Sequence, residues 1–162
     1  MIRYTKTRKV KSPSRGTDFS AGIDFFVPDD FNTQILEPGS DILIPSGIIM
    51  EIPQHCMLIG VDKSGIASSY LAKVRCGMDA KRPDMNTSLV VGAKLIDADY
   101  SGEIHIHLIN TGKNPVQIVP GMKVAQFVLV PVFYDDCIEV SKESLLFPAG
   151  RGAGGFSSTG LK

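Results

Sequence analysis

Two carboxylates one residue apart stand out in the run Leu95-Ile96-Asp97-Ala98-Asp99-Tyr100-Ser101-Gly102-Glu103. Such a pair can divide the work of general base and structural cap, or it can simply decorate a turn. If the run is a hairpin entering a strand over Ile104 to Ile109, alternation points Asp97 and Asp99 to one side and Tyr100 to the other, unless the turn twists them. The chain ends in a second chemically equipped stretch, Arg151-Gly152-Ala153-Gly154-Gly155-Phe156-Ser157-Ser158-Thr159-Gly160. Its glycines let backbone N–H groups approach phosphate oxygens, Arg151 suits a terminal phosphate, the hydroxyls can donate, and Phe156 can stack on a base. The spacing is not that of a P-loop, because GxxxxGK[ST] is absent. On residue types alone the stretch is either a cover for a nucleotide or a solvated tail.

Other chemistries find less support. His55, His105 and His107 have no Cys or acidic partner at metal-ligand spacing, and His105 and His107 alternate with Ile104 and Ile106 as one face of a strand. Cys56, Cys76 and Cys137 form no CxxC and leave an odd count, which fits reduced thiols in the cytosol. The 17 basic and 17 acidic side chains cancel, which removes any global argument for binding nucleic acid or a membrane. Six bases and no acid fall in the first fifteen residues, but no apolar segment follows, so a secretory signal is not expected and the stretch reads as a first strand with a solvated basic face. With no long apolar run to span a bilayer, the expected location is the cytoplasm, or the host cytoplasm for a viral protein.

The elements that must position these residues are mostly strands. Short apolar, β-branched stretches recur at Ile42 to Ile44, Gly47 to Ile52, Met57 to Val61, Ile104 to Ile109, Val116 to Val119 and Val124 to Val132. Pro45, Pro53, Pro115, Pro120 and Pro131 lie at their ends, where a missing N–H costs least. A chain of 162 residues built this way is one all-β domain, a sandwich or jelly-roll barrel of short strands. One short helix is expected within Ser64 to Val74, where Ile66, Tyr70, Leu71 and Val74 fall at helical spacing. Residues 75–88 read as a long polar loop within a domain of residues 1–147. Residues 148–162, with five glycines from Gly150 onward, read as a mobile C-terminal arm.

Five stretches in order resemble the motifs of the trimeric deoxyuridine triphosphatases. They are Ser20-Ala21-Gly22-Ile23-Asp24, Asp62-Lys63-Ser64-Gly65, Gly92-Ala93-Lys94-Leu95-Ile96-Asp97-Ala98-Asp99-Tyr100-Ser101-Gly102-Glu103, Gly121-Met122-Lys123-Val124-Ala125-Gln126-Phe127, and the C-terminal stretch itself. The third and fifth are specific and the others are weak alone. Together they cover the chain from about Ser20 to Gly160.

The resemblance implies hydrolysis of dUTP to dUMP and pyrophosphate, which limits uracil in DNA and supplies dUMP for dTTP synthesis. It assigns Asp97 to the water that attacks the α-phosphorus, as a carboxylate can at neutral pH. It puts Tyr100 under the deoxyribose, gives uracil to backbone groups near Val91, Gly92 and Ala93, and stacks Phe156 on the base. Lys63, Ser64, Gly65, Gln126, Arg151, Ser158 and Thr159 would hold the phosphates, with Arg151 at the γ end. The implied cofactor is Mg2+, held mainly by the phosphates and reached by Asp24 through water. The implied assembly is a homotrimer whose subunits share each site, with the arm of one chain closing a site built by its neighbours.

The chain also departs from the family pattern. Lys63 replaces an Arg, exchanging a bidentate fork for a point charge. Ser20 replaces an acidic residue, Ser157 replaces a glycine, and Lys94 stands where a small residue is common, either beside the base or turned to solvent. The interval from Ser64 to Asp97 is long, and residues 75–88 take up the surplus as a passive excursion, a lid or a partner-binding arm. Two other readings stay open: a dCTP deaminase-like enzyme on a related fold, against which the Asp97 hairpin speaks, and a nucleotide-responsive binding protein acting through the inserted loop.

Overall fold

The computed structural model describes residues 2–67 and 88–147. Twelve short strands follow one another: β1 (Arg3–Lys6), β2 (Ser14–Arg15), β3 (Ile23–Phe26), β4 (Gln34–Leu36), β5 (Asp41–Pro45), β6 (Ile48–Glu51), β7 (Cys56–Val61), β8 (Leu89–Val91), β9 (Leu95–Ile96), β10 (His105–Asn110), β11 (Val116–Ile118) and β12 (Lys123–Pro131). A single helical turn, α1 (Ser64–Ala67), follows β7, and a short 3-10 turn lies at Lys142–Ser144. The remainder of the expected helix to Val74, the expected loop 75–88 up to residue 87, and the expected arm 148–162 fall outside the described residues. No described helix is long and apolar enough to cross a membrane.

The strands form a five-stranded sheet in the order β2-β3-β12-β7-β9, a three-stranded sheet β5-β10-β8, and the pairs β1-β6 and β11-β4. All pairings are antiparallel. Alternation sets which side chains go inward. On β10, Ile106, Leu108 and Asn110 are fully buried, while His105 and His107 lie on the opposite face, as the sequence pattern requires. On the other sheet Phe127 of β12 meets Phe25 of β3 with ring centroids 4.6 Å apart and tilted by 55°, a favourable aromatic geometry. These residues join Ile44, Leu58 and Ile106 in one core cluster, as expected of a sandwich.

Polar anchors fix the turns around that core. Asn110 is completely buried, donates through Nδ2 to Leu36 O at 2.9 Å and Asn114 O at 2.8 Å, and accepts from Gly112 N at 3.0 Å. Its polar atoms are therefore satisfied in the core and tie the end of β10 to β4. Gly47 turns the chain between β5 and β6 at φ 75°, and a Cβ there would lie 2.7 Å from Arg8 Cγ. The residues that flank 68–87 are clasped to each other and to the sheet, since Ser88 Oγ donates to Ala67 O at 3.1 Å and Thr111 N donates to Ser88 O at 2.8 Å. A closure held at its base lets loop length vary at little cost to the sandwich.

Candidate active site

The hairpin that carries the paired carboxylates is built by β9 and the turn after it. β9 is held by β7 in the register Leu58↔Ile96 and Ile59↔Leu95. Tyr100 N then donates to Asp97 O at 3.2 Å, closing a turn over residues 97–100. The turn overrides simple alternation: Asp97 and Tyr100 line the same open pocket, with Ala93, Leu95, Ile96, Leu43 and His105. Of the two arrangements the sequence leaves open, strict alternation and a twisting turn, the hairpin has the second. Tyr100 Oη donates to Glu103 O at 2.8 Å, and the ring lies so close to Gly102 that a Cβ there would sit 2.6 Å from Oη. Glu103 accepts from Gly47 N at 2.5 Å, which pins the end of the hairpin to the β5–β6 turn.

The pocket wall is apolar around one exposed carboxylate, a setting suited to a flat base or sugar with a reactive centre at its rim. Leu43 and His105 carry no site signal in the sequence. They come from β5 and β10, and only the sheet register brings them to the hairpin. Lys94 is exposed, and its carbonyl accepts from Gly60 N at 2.6 Å, so the backbone is fastened while the ammonium faces water.

A second cluster forms where β3 pairs with β12 in the register Gln126↔Asp24. Asp24 is buried, with Lys63 Nζ 3.1 Å from Oδ1 and Lys123 Nζ 2.7 Å from Oδ2. Burial pushes its carboxyl up, but the hydrogen bonds and positive charges of Lys123 and Lys63 outweigh that and hold it below the usual carboxylate range. Gln126 Nε2 donates to Asp62 O at 3.0 Å, and a Cβ on Gly22 would collide with Gln126 Oε1. Gly22, two residues before Asp24, is thus the space through which the Gln126 side chain passes. Ser64 and Gly65 follow Lys63 directly in α1. In the sequence Lys123 is only part of a motif; its partner across the sheet makes it a functional candidate.

Asp62 links the two clusters. Its carbonyl receives Gln126, and its Oδ1 accepts from Val91 N at 2.6 Å. Gly92 N donates to His107 O at 2.9 Å and Ala93 N to His107 Nδ1 at 3.0 Å. The three amides of Val91, Gly92 and Ala93 therefore have acceptors within the chain. Arg151, Phe156, Ser158 and Thr159 lie outside the described residues.

Among the described residues no three His, Cys, Asp or Glu side chains converge as a cage for a metal. Asp24 has the hard oxygen chemistry that a hydrated Mg2+ takes, yet both its oxygens carry ammonium partners. A hydrated cation at Asp24 would therefore compete with these two ammonium groups for the carboxylate.

The ion-paired carboxyl has a measurable consequence. A carboxyl lowered in the folded state stabilises fully at neutral pH and loses that contribution as the pH falls through the ordinary carboxylate range to the lowered value. Asp24→Asn is expected to cost about 1–3 kcal/mol at neutral pH, less than a fully buried pair because both lysines are partly exposed. In denaturant titrations from pH 7 to pH 3, the parent should approach the variant on acidification. Parallel curves would remove the ion pairs from the stability of the fold.

A sandwich that sets a carboxylate hairpin beside an apolar pocket, with a lysine-rich polar cluster joined to it, defines an all-β enzyme for a phosphorylated ligand. The dUTPase family model matches residues 8–160, and the chain belongs to that family. It is 35% identical to the deoxyuridine 5'-triphosphate nucleotidohydrolase of Rhizobium rhizogenes, covering 99% of this chain and 92% of that protein. It is 30% identical to the Fowlpox virus enzyme of the same name, covering 98% and 96%. The fold is that of the Staphylococcus bacteriophage 80alpha dUTPase bound to dUPNHPP, with a TM-score of 0.78 at 22% identity over 99% of both chains. The dUTPase of phage phi11 of S. aureus, solved as a point mutant that shows the coordination of a structural Mg(II) ion, superposes with a TM-score of 0.69 at 21% identity over 88% of this chain and 97% of that one.

Proposed function

We propose that the protein is a dUTP diphosphatase in which Asp97 activates the water that attacks the α-phosphorus, releasing dUMP and pyrophosphate. The observation that carries this reading is the shared pocket of Asp97 and Tyr100: the turn sets a water-exposed carboxylate at the edge of an apolar surface that a deoxynucleoside can cover. Tyr100, its hydroxyl tied to Glu103 O, presents a fixed ring face to the deoxyribose, where a 2′-hydroxyl would clash. With the amides of Val91, Gly92 and Ala93 engaged, the loop offers carbonyl oxygens, which accept from the N3–H of uracil and not from the unprotonated N3 of cytosine.

Lys63, Ser64, Gly65 and Gln126 hold the phosphates in this reading, with Lys123 added by its position on Asp24. The arm supplies Arg151, Ser158 and Thr159 to the phosphates and Phe156 to the base. Mg2+ bound to the triphosphate would offset its charge, with Asp24 reaching it through water once a lysine has turned to phosphate. The working unit is a homotrimer with shared sites, acting in the cytoplasm, and any partner at residues 75–88 adds to catalysis without replacing it.

Purified protein incubated with Mg2+ and dUTP, dCTP, dTTP or UTP tests the proposal. Pyrophosphate from dUTP alone is the expected result. Consumption of dCTP by deamination, with no pyrophosphate from dUTP, would overturn it in favour of the deaminase-like reading.

A further inference from the structure

His107 lies on the outer face of β10 and touches the base-reading loop in two ways. Its Nδ1 accepts from Ala93 N at 3.0 Å, and its ring fills the place where any side chain at residue 92 would have to go, since a Cβ on Gly92 would collide with Nδ1. Its Nε2 is 3.0 Å from Asp41 Oδ2 at the start of β5.

These contacts determine the proton. An amide N–H facing Nδ1 requires that nitrogen to be bare, so a neutral ring carries its hydrogen on Nε2 and donates it to the Asp41 carboxylate. The chain of bonds is therefore directional: Ala93 N–H to the imidazole, and the imidazole to Asp41.

The consequence falls on a carbonyl. In a trans peptide the N–H of one residue and the C=O of the preceding one point in opposite directions from the same plane. Binding Ala93 N–H to His107 therefore aims the Gly92 carbonyl away from the imidazole. Glycine at 92 has the widest choice of backbone angles of any residue, so without that bond the peptide plane is free to turn.

We propose that His107, oriented by Asp41, is a positioning residue that fixes the Gly92–Ala93 peptide plane and so sets base affinity and the preference for uracil. This inference rests on the loop reading the base, as proposed above. The imidazole itself takes no part in the chemical step.

Four measurements test it. A long-range nitrogen–proton NMR spectrum of the intact protein at neutral pH should show His107 with its hydrogen on Nε2; a hydrogen on Nδ1 would overturn the relay whatever the substrate. His107→Leu, which keeps bulk and removes the acceptor, is expected to raise KM for dUTP about tenfold with kcat within about twofold, and to narrow the dUTP-over-dCTP preference. His107→Asn, whose amide oxygen falls near the place of Nδ1, should return KM to within about threefold of the parent. An unchanged KM in His107→Leu, or no rescue by Asn in a folded protein, would refute the positioning role. Asp41→Ala, a change at an exposed side chain that spares the fold, is expected to move KM in the same direction by about threefold, and an unaltered value would remove Asp41. A parent that hydrolyses no dUTP would defeat the proposed function, and the NMR result would still report on the relay.

Discussion

Asp97→Asn is expected to lower kcat for dUTP by a factor of about 100 to 10,000 while the protein still binds the nucleotide and melts near the parent temperature. Asp97 is exposed on a turn, so its amide analogue removes no core contact and leaves no buried group without a partner. The side chain keeps its size and can still hydrogen-bond to a water, but it can no longer take that water's proton. Binding and water activation separate on this account: the apolar wall formed by Leu43, Leu95, Ile96 and Tyr100 is untouched. Calorimetric titration with a non-hydrolysable dUTP analogue, set beside steady-state turnover, distinguishes the two effects. Turnover within a few fold of the parent would remove Asp97 from the role of base.

Deleting residues 148–162 is expected to cut kcat/KM at least about a hundredfold and to leave the assembly unchanged in size. The deletion takes away Arg151, Phe156, Ser158 and Thr159 together, and with them a guanidinium suited to a terminal phosphate and an aromatic face for the base. The last strand among the described residues, β12, ends at Pro131, so the cut falls well beyond the described sheets and their core. What is lost is positioning of a highly charged substrate, which alone accounts for large factors in rate. Light scattering on a sizing column, with turnover measured on the same fractions, provides the check. A truncated protein that turns over dUTP normally would show that the arm covers nothing.

The strands that can be read directly are those whose environments leave a simple trace. β10 shows alternation because one face meets the core and the other does not, and the proline-bounded runs at β5, β7 and β12 have length and β-branching in their favour. β3 is hidden. Its four residues Ile23, Asp24, Phe25 and Phe26 are all buried, so no period-two signal survives, and the carboxylate in their midst looks like a turn. Only Lys63, just past β7, and Lys123 of β12 make a buried Asp24 tolerable.

The site is legible in its residue types and much less so in its connections. Asp97 and Tyr100 stand out in the sequence, but their common side is set by a four-residue turn that alternation does not describe. His107 reads there as one face of a strand and nothing more. Its partners, Ala93 and Asp41, stand 14 and 66 residues away in the chain, and no local spacing points to either. Asp62 sits inside a motif with no task, because a carboxylate that accepts from a backbone amide far along the chain leaves no mark in its neighbours.

The pairing of β3 with β12 also governs when the protein can mature. Asp24 and Lys123 are separated by 99 positions, so a growing polypeptide must leave one edge of β3, the edge opposite β2, unpaired until nearly all of the sandwich has been made. Long closures of this kind slow the search for the native state, and β-rich topologies dominated by them fold in milliseconds to seconds. The carboxylate–lysine cluster therefore assembles late, and no folding intermediate that lacks β12 can carry it.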